Sequence, residues 1–577
     1  MSVPLDKIYF PVGIQVSPGK SWMYVANSDF DLQFNAGTLQ VYDLAKLRSK
    51  VPTYCDRDDD CTKAGKVGQT CDLTADPDKR LGPSHRCVGA DDDPCANAGT
   101  KVQSVADQSL TPGLCKPLEP APLLFHGTKG GVVSIGAFST DLLYATNPLA
   151  GGKGSRLFVP VRGDATVHWI SVDDDTAYPD QGDHSTGVSL DCGQSGPTQK
   201  CDDNHRRGTG NDPATITDTQ VTLPAEPYGI ALQARPYGGV PDSKGSEFVD
   251  NVPALHPPDY VPGPLSSFSE TLVTTHQTTG QIALFVNTWS TTPNDDDGPQ
   301  LVSIGGVGLP TGALAVTSVP LPAFWLENPT RVTYLPSFLM TFTNAAQVQL
   351  VRTFDDLLSS PRRPFIDTSR SVAIATNASG FESRGIVVEN SDRQHCEAPV
   401  DGTCAGDPDR AACLLKNCIP APYSVYAANR SPASLIIGQT PPNVPNTLTD
   451  DLPQFTEQVP MTTGPSRVFT GNVIDKNGKL SPRVFIICFD SRRIFVYDPA
   501  NRRFDAEVIT GRGPHAFALD VEQGVDGAGN PVEHAYAYIG HFSDSYIGVI
   551  DLDQRHTAAY GTIVLSVGQR TPPRASK

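Results

Sequence analysis

The chain has 577 residues, with 51 glycines, 51 prolines, only four methionines and 38% hydrophobic residues. That many turn formers exclude a helix-rich fold and favour many short strands. The net charge of −18 and a pI near 5.0 repel phosphate backbones, so nucleic acid is excluded as the expected partner, and no apolar run reaches transmembrane length.

From the N-terminus, MSVPLDKIYF enters a strand almost at once. A targeting segment is therefore expected to have preceded Met1 and been removed. Residues 11–44, PVGIQVSPGKSWMYVANSDFDLQFNAGTLQVYDL, predict three strands joined by turns, and the same plan returns along the chain. Inner strands are expected to open near Gly13, Gly136, Gly229, Gly312, Gly385, Arg467 and Ala516. The fold class is all-β: a single seven-bladed β-propeller over 1–577, with four-stranded antiparallel blades and disulfide-rich loop insertions.

A bare blade needs about 40–45 residues, so every unit except the sixth carries extra chain. A cysteine-rich insertion at 45–121 is expected between the third strand of blade 1 and a fourth at 122–126. In blade 2 an insertion at 173–213 takes the equivalent place. Insertions at 235–268 in blade 3, 389–421 in blade 5 and 521–533 in blade 7 are expected between the first and second strands. Because strands in a blade alternate in direction, all of these leave from one face of the disc. The opposite face keeps short loops. The last unit holds four local strands, at 514–520, 534–540, 546–551 and 561–567, which predicts ring closure without an exchanged strand.

Twelve cysteines form three even-numbered local groups: Cys55, Cys61, Cys71, Cys87, Cys95 and Cys115; Cys192 and Cys201; and Cys396, Cys404, Cys413 and Cys418. In polar, turn-rich segments such groups predict disulfides and an oxidising compartment. No CxxC spacing favours zinc instead. Six cysteines permit 15 pairings, and spacing does not choose among them. Cys488, in the apolar run RVFIICFD, is expected to be a buried free thiol. Asp58-Asp59-Asp60 and three similar runs are solvated loop charge, with Asp58 and Asp60 as calcium candidates. No cofactor is expected beyond that ion.

VSPGKSWMYVANS followed by GTLQVYDL resembles the YVTN-type repeat of bacterial surface and lactonase-like propellers, as does GPHAFALD…AYAYIGHFSDSYIGVIDLD. The segment YCDRDDDCTKAGKVGQTCD resembles disulfide-knit modules of secreted myxobacterial proteins. The resemblance implies an outer-membrane lipoprotein, periplasmic or secreted location. It also implies that ligands approach the central channel.

Residues just before each inner strand should crowd the channel mouth: Val12, Ile135, Tyr228, Thr311, Arg384, Ser466 and His515. Of these, Tyr228, Arg384, Ser466 and His515 can bind a ligand, and Arg384 with His515 could serve anion binding or proton transfer. His541, with Asp544, is a further candidate on a turn of the same face. Asn27, Asp29, Arg162, Asp164, His276 and Arg430 come from equivalent turns. The sequence holds no GxSxG, HExxH or phosphate-loop motif, so a non-enzymatic binding or scaffold module that meets an envelope or extracellular protein partner through its loop-elaborated face is the leading expectation. A lactonase-like hydrolase using Arg384 and His515 is the alternative, and a calcium-stabilised surface-layer or filament component is the third.

Overall fold

Seven four-stranded antiparallel sheets surround one axis in the computed structural model, which describes residues 3–73, 85–89, 95–125, 130–147, 154–173, 175, 190–210, 222–236, 267–290, 298–320, 336–354, 365–374, 382–389, 422–441, 451–525 and 531–574. With strands labelled A to D from the axis outward, blade 1 is Pro11–Val16, Trp22–Asn27, Gly37–Asp43 and Val132–Ile135. Blade 2 is Leu143–Thr146, Ser155–Val161, Thr166–Val172 and Arg206–Arg207. The A strands of blades 3 to 7 are Pro227–Pro236, Ala313–Ser318, Ser383–Val388, Pro465–Ile474 and Pro514–Val525. Neighbouring A strands touch in cyclic order, blade 7 against blade 1, so the ring closes without an exchanged strand.

Side chains alternate across each sheet, and both faces are covered by a neighbouring blade. Strand B of blade 1, WMYVAN, is therefore buried throughout. Its Met23 and Val25 enter the core of the 7/1 seam, while Trp22, Tyr24 and Ala26 enter that of the 1/2 seam. Seven such apolar clusters fill the seven seams.

Two strand assignments from the sequence shift by one place. Residues 132–135 form strand D of blade 1, paired with Gly37–Gln40, and do not open blade 2. The expected fourth strand at 122–126 makes a single bridge, Leu124 to Tyr42. Blade 2 opens at Leu143 instead of near Gly136. A short apolar strand reads the same in an inner or an outer position, because periodicity reports burial and not the pairing partner.

The two C–D insertions share one device. Each reaches back to the outer strand of the preceding blade and lies parallel to it. In blade 1, the Leu118 amide donates to the Ser566 carbonyl and the Gly568 amide to the Leu118 carbonyl, both at 2.9 Å. In blade 2, the Ser134 amide donates to the Gln199 carbonyl at 2.8 Å and the Cys201 amide to the Ser134 carbonyl at 3.2 Å. Each returning segment is tied by a disulfide, Cys95–Cys115 and Cys192–Cys201 respectively. Further out, Cys55–Cys71 and Cys61–Cys87 interleave. The described parts of both insertions thus run along the rim of the disc.

In blade 7 most of 521–533 is absorbed into a long A–B hairpin, Pro514–Val525 against Pro531–His541. Residues 237–266 and 390–421, including Cys396, Cys404, Cys413 and Cys418, lie outside the described residues. Cys488 is free and buried, and burial pushes its thiol up to about 11. No helix among the described residues is long and apolar enough to cross a membrane.

Candidate functional site

Six of the seven A strands begin with an irregularity in their pairing to strand B. A bulge leaves one residue outside the ladder and re-aims its side chain. In blades 1, 5, 6 and 7 that residue is Val12, Arg384, Ser466 and His515, each turned to the channel mouth. The next position faces the neighbouring blade at close range. A Cβ on Gly385 would lie 2.9 Å from the Cα of Arg467, and one on Gly13 only 2.4 Å from the Cβ of Leu142. This explains the recurrent x-Gly at blade openings in PVGI, PYGI and SRGI.

The mouth encloses a cavity of about 240 Å3 on the short-looped face. Tyr228, Arg384, Ser466 and His515 all line it, together with Arg467. B–C turns add Phe30, Arg162, Arg430, Phe489 and Phe542. Arg467 forms the floor and crosses the axis. Its guanidinium donates to Asp141 at 3.1 Å, to the Thr140 carbonyl at 3.2 Å and to Nε2 of His515 at 3.1 Å. Since arginine only donates, Nε2 is the accepting nitrogen, and the imidazole proton is assigned to Nδ1. Burial, then the nearby charges of Arg467 and Arg384, hold His515 neutral, well below the usual histidine range.

The other arginines are braced as well. Arg384 donates through Nε at 3.0 Å and through a terminal nitrogen at 2.5 Å to the same oxygen of Glu382. Arg430 bonds to Asp490 and lies 3.6 Å from Glu382. Arg162 meets Glu226 at 2.6 Å, and Thr278 donates to the other oxygen of Glu226 at 2.5 Å. The hydrogen bond from Thr278, followed by that from Arg162, lowers the Glu226 carboxyl. Asp141, Glu226 and Glu382 stand outside the lining, whereas Asp490 is part of it. Cationic forks therefore face the cavity, and three of their four carboxylate partners stand behind.

Other sequence candidates lie elsewhere. Ile135 is in the outer strand of blade 1, and Thr311 accepts a hydrogen bond from Asn344 outside the lining. His541 is buried beneath the turn, stacked on Tyr546 at 4.0 Å, with Nδ1 bonded to the Tyr546 carbonyl and its pKa driven by burial to about 3. Asp544 accepts from Nε and the backbone amide of Arg512. Asn27 and Asp29 brace their own turn, and His276 is buried with its pKa lowered to about 4. Asp164 accepts from Thr166 and Arg206. Only Arg162 and Arg430 of the six turn residues reach the cavity. Asp58 and Asp60 are spent on local backbone amides, Asp58 on that of Cys71 and Asp60 on those of Asp56 and Arg57.

Arg467, Asp141 and the lining phenylalanines Phe30, Phe138, Phe489 and Phe542 are residues that sequence reasoning missed. One signal was present: blade 6 opens as PSRV, with arginine where blades 1, 3 and 5 carry glycine. Asp141 went unnoticed because the start of blade 2 was placed too early.

No protein-family model and no curated protein matches the chain. Among solved structures, a periplasmic gluconolactonase of Pseudomonas aeruginosa is 10% identical, covering 88% of this chain and 86% of its own, at a TM-score of 0.33. A candidate 6-phosphogluconolactonase of Bacteroides uniformis is 12% identical over 87% and 86%, with a TM-score of 0.36. Kuenenia stuttgartiensis hydrazine synthase is 10% identical over 94% and 96%, at 0.38. The strand order itself defines the class, a seven-bladed β-propeller with disulfide-tied insertions.

Proposed function

We propose that this propeller is an extracytoplasmic binding protein that takes a small organic anion at its channel mouth. The observation that carries the reading is the set of four guanidinium groups facing one cavity, each held by a carboxylate partner. Braced forks lose little side-chain freedom on binding, and their bonds to an anion strengthen where phenyl rings displace water. The four disulfides among the described residues support an oxidising compartment. Titration calorimetry of the full chain with inorganic phosphate and a series of small carboxylates tests the proposal. At least one anion should bind, and Arg384→Ala should weaken it about tenfold or more, the scale of one charge-assisted contact. If none of these anions binds at millimolar concentration, the reading fails.

Hydrolysis of a lactone or ester is the second reading, favoured by one observation: Arg384 and His515 line the same cavity. The state of His515 argues against it. Nε2 already accepts from Arg467, and a strongly lowered pKa makes a weak base near neutrality. Turnover of a chromogenic ester that disappears in His515→Ala would reverse the ranking.

A further inference from the structure

The cavity is two-sided, and its sides differ in chemistry. Along blades 6, 7 and 1 runs an arc of phenyl rings. Phe489 and Phe542 stand 6.4 and 6.3 Å from the His515 ring and 6.4 Å from each other, so the three rings form a triangle. Phe30 packs edge-on against Phe542 at 5.1 Å and against Phe138 at 5.6 Å. All four phenylalanines line the cavity, and Phe30 remains 50% exposed, an apolar ring held at the opening. The neutral state of His515 adds a fifth ring without charge to this side. On the blade 5 side stand Arg384 and Arg430, the latter bonded to Asp490 of blade 6, with Arg467 on the floor and Arg162 on the blade 2 side.

Resting on the anion-binding reading above, we infer that the ligand is a ring-bearing carboxylate, such as an aryl or arylalkanoic acid. Its carboxylate points to Arg384 and Arg430, and its ring lies under the phenylalanine arc. Size agrees: a cavity of about 150 Å3 holds a benzene ring, and this one has about 240 Å3. The lining contains no asparagine, glutamine or glutamate among the described residues. The hydroxyl-bearing and acidic residues of the lining are Ser28, Ser139, Thr140, Tyr228, Ser466 and Asp490; a sugar acid would set most of its hydroxyls against the four phenyl rings, where few of these partners reach the desolvated groups. A phenyl ring instead gains edge-to-face and offset contacts there.

The test is calorimetry on the full chain with phenylacetate, benzoate, acetate and gluconate. An aryl acid should bind at least tenfold more tightly than acetate and gluconate. Phe542→Ala should weaken the aryl acids at least tenfold more than it weakens acetate and so remove their preference, and Phe30→Ala, at a half-exposed position, provides the same readout in a second variant. Arg384→Ala should weaken all the acids that bind. Gluconate or acetate binding as tightly as the aryl acids would overturn the ring assignment and leave the anion reading standing. Binding of none of the four would overturn both.

Discussion

The seam between blades 7 and 1 differs from the channel mouth in what holds it together. At the seam, a disulfide-tied insertion contributes Cys95, Ala98, Cys115 and Leu118 to one apolar core with Leu565 and Val567 of blade 7. Tyr54 stacks on His556 at 4.5 Å, and Lys7 and Gln569 both bind Glu119 at the rim. At the mouth the arginines are held by carboxylates instead, and no disulfide cysteine among the described residues lines it. The seam joins strand residues of blades 7 and 1 to residues that one insertion contributes from the stretch 95–118. The mouth is built from single residues that each blade contributes at the same step of its pattern. The contrast teaches that the part that closes the ring is separable from the part proposed to bind. The seam closes the ring without an exchanged strand, and the mouth uses the closed ring as a frame.

Changes at the seam should have the largest effect. Replacing Cys95 and Cys115 together by alanine opens a loop of 20 residues and should cost about 3 kcal/mol of stability by the chain-entropy argument. Urea denaturation measures it, and anion binding in the native baseline should stay within twofold. A variant that lost binding and kept its stability would break the separation.

Acid comes next, and it strikes the blades rather than the staple. Burial lowers His276 to about 4 and His541 to about 3. Both imidazoles stay neutral in the fold while the unfolded chain takes up protons below about pH 6.5. Their stabilisation is complete above that pH and falls as pH drops towards 4 and 3. Each loses on the order of 2 kcal/mol by pH 5, and His515 acts in the same direction. Glu270 opposes them, because burial raises its carboxyl to about 7, so its contribution grows as pH falls from 7 to 4.5. Three lowered histidines outweigh one raised carboxyl, so the net expectation is a loss of stability between pH 7 and pH 5, read by denaturation at the two pH values. No loss, or a gain, would contradict these histidine assignments.

At the mouth, Asp141→Asn should weaken anion binding about three- to tenfold by releasing one brace of Arg467, with thermal stability changed by less than about 1 kcal/mol. Calorimetry beside a thermal melt separates the two. The smallest effect should follow Lys7→Ala at the rim, where an exposed pair with Glu119 at 3.2 Å is worth about 0–1 kcal/mol and should vanish in high salt. A larger, salt-independent loss would show that the rim carries more of the ring closure than its apolar core.

Much of this was legible from the sequence, because repeats state the same instruction several times. PVGI, PYGI and SRGI repeat one opening, and of the residues expected just before the inner strands Tyr228, Arg384, Ser466 and His515 line one cavity. Blade 2 was misplaced because VVSI suits an outer strand as well as an inner one. His541 was singled out by its turn, yet the turn's register buries it under Tyr546. The interleaving of Cys55–Cys71 with Cys61–Cys87 had no signature in spacing.

The sequence by itself determined the all-β class, the seven units, the local closure of the last blade and the clustering of cysteines. Those follow from local chemistry: turn formers, alternating apolar residues and bulge-forming openings act over a few residues. Only the tertiary structure decided which outer strand each insertion reaches, that Arg467 crosses the axis to Asp141, and that His515 is neutral. These depend on residues 326 and 48 positions from Arg467, and such contacts exist only once the ring has closed.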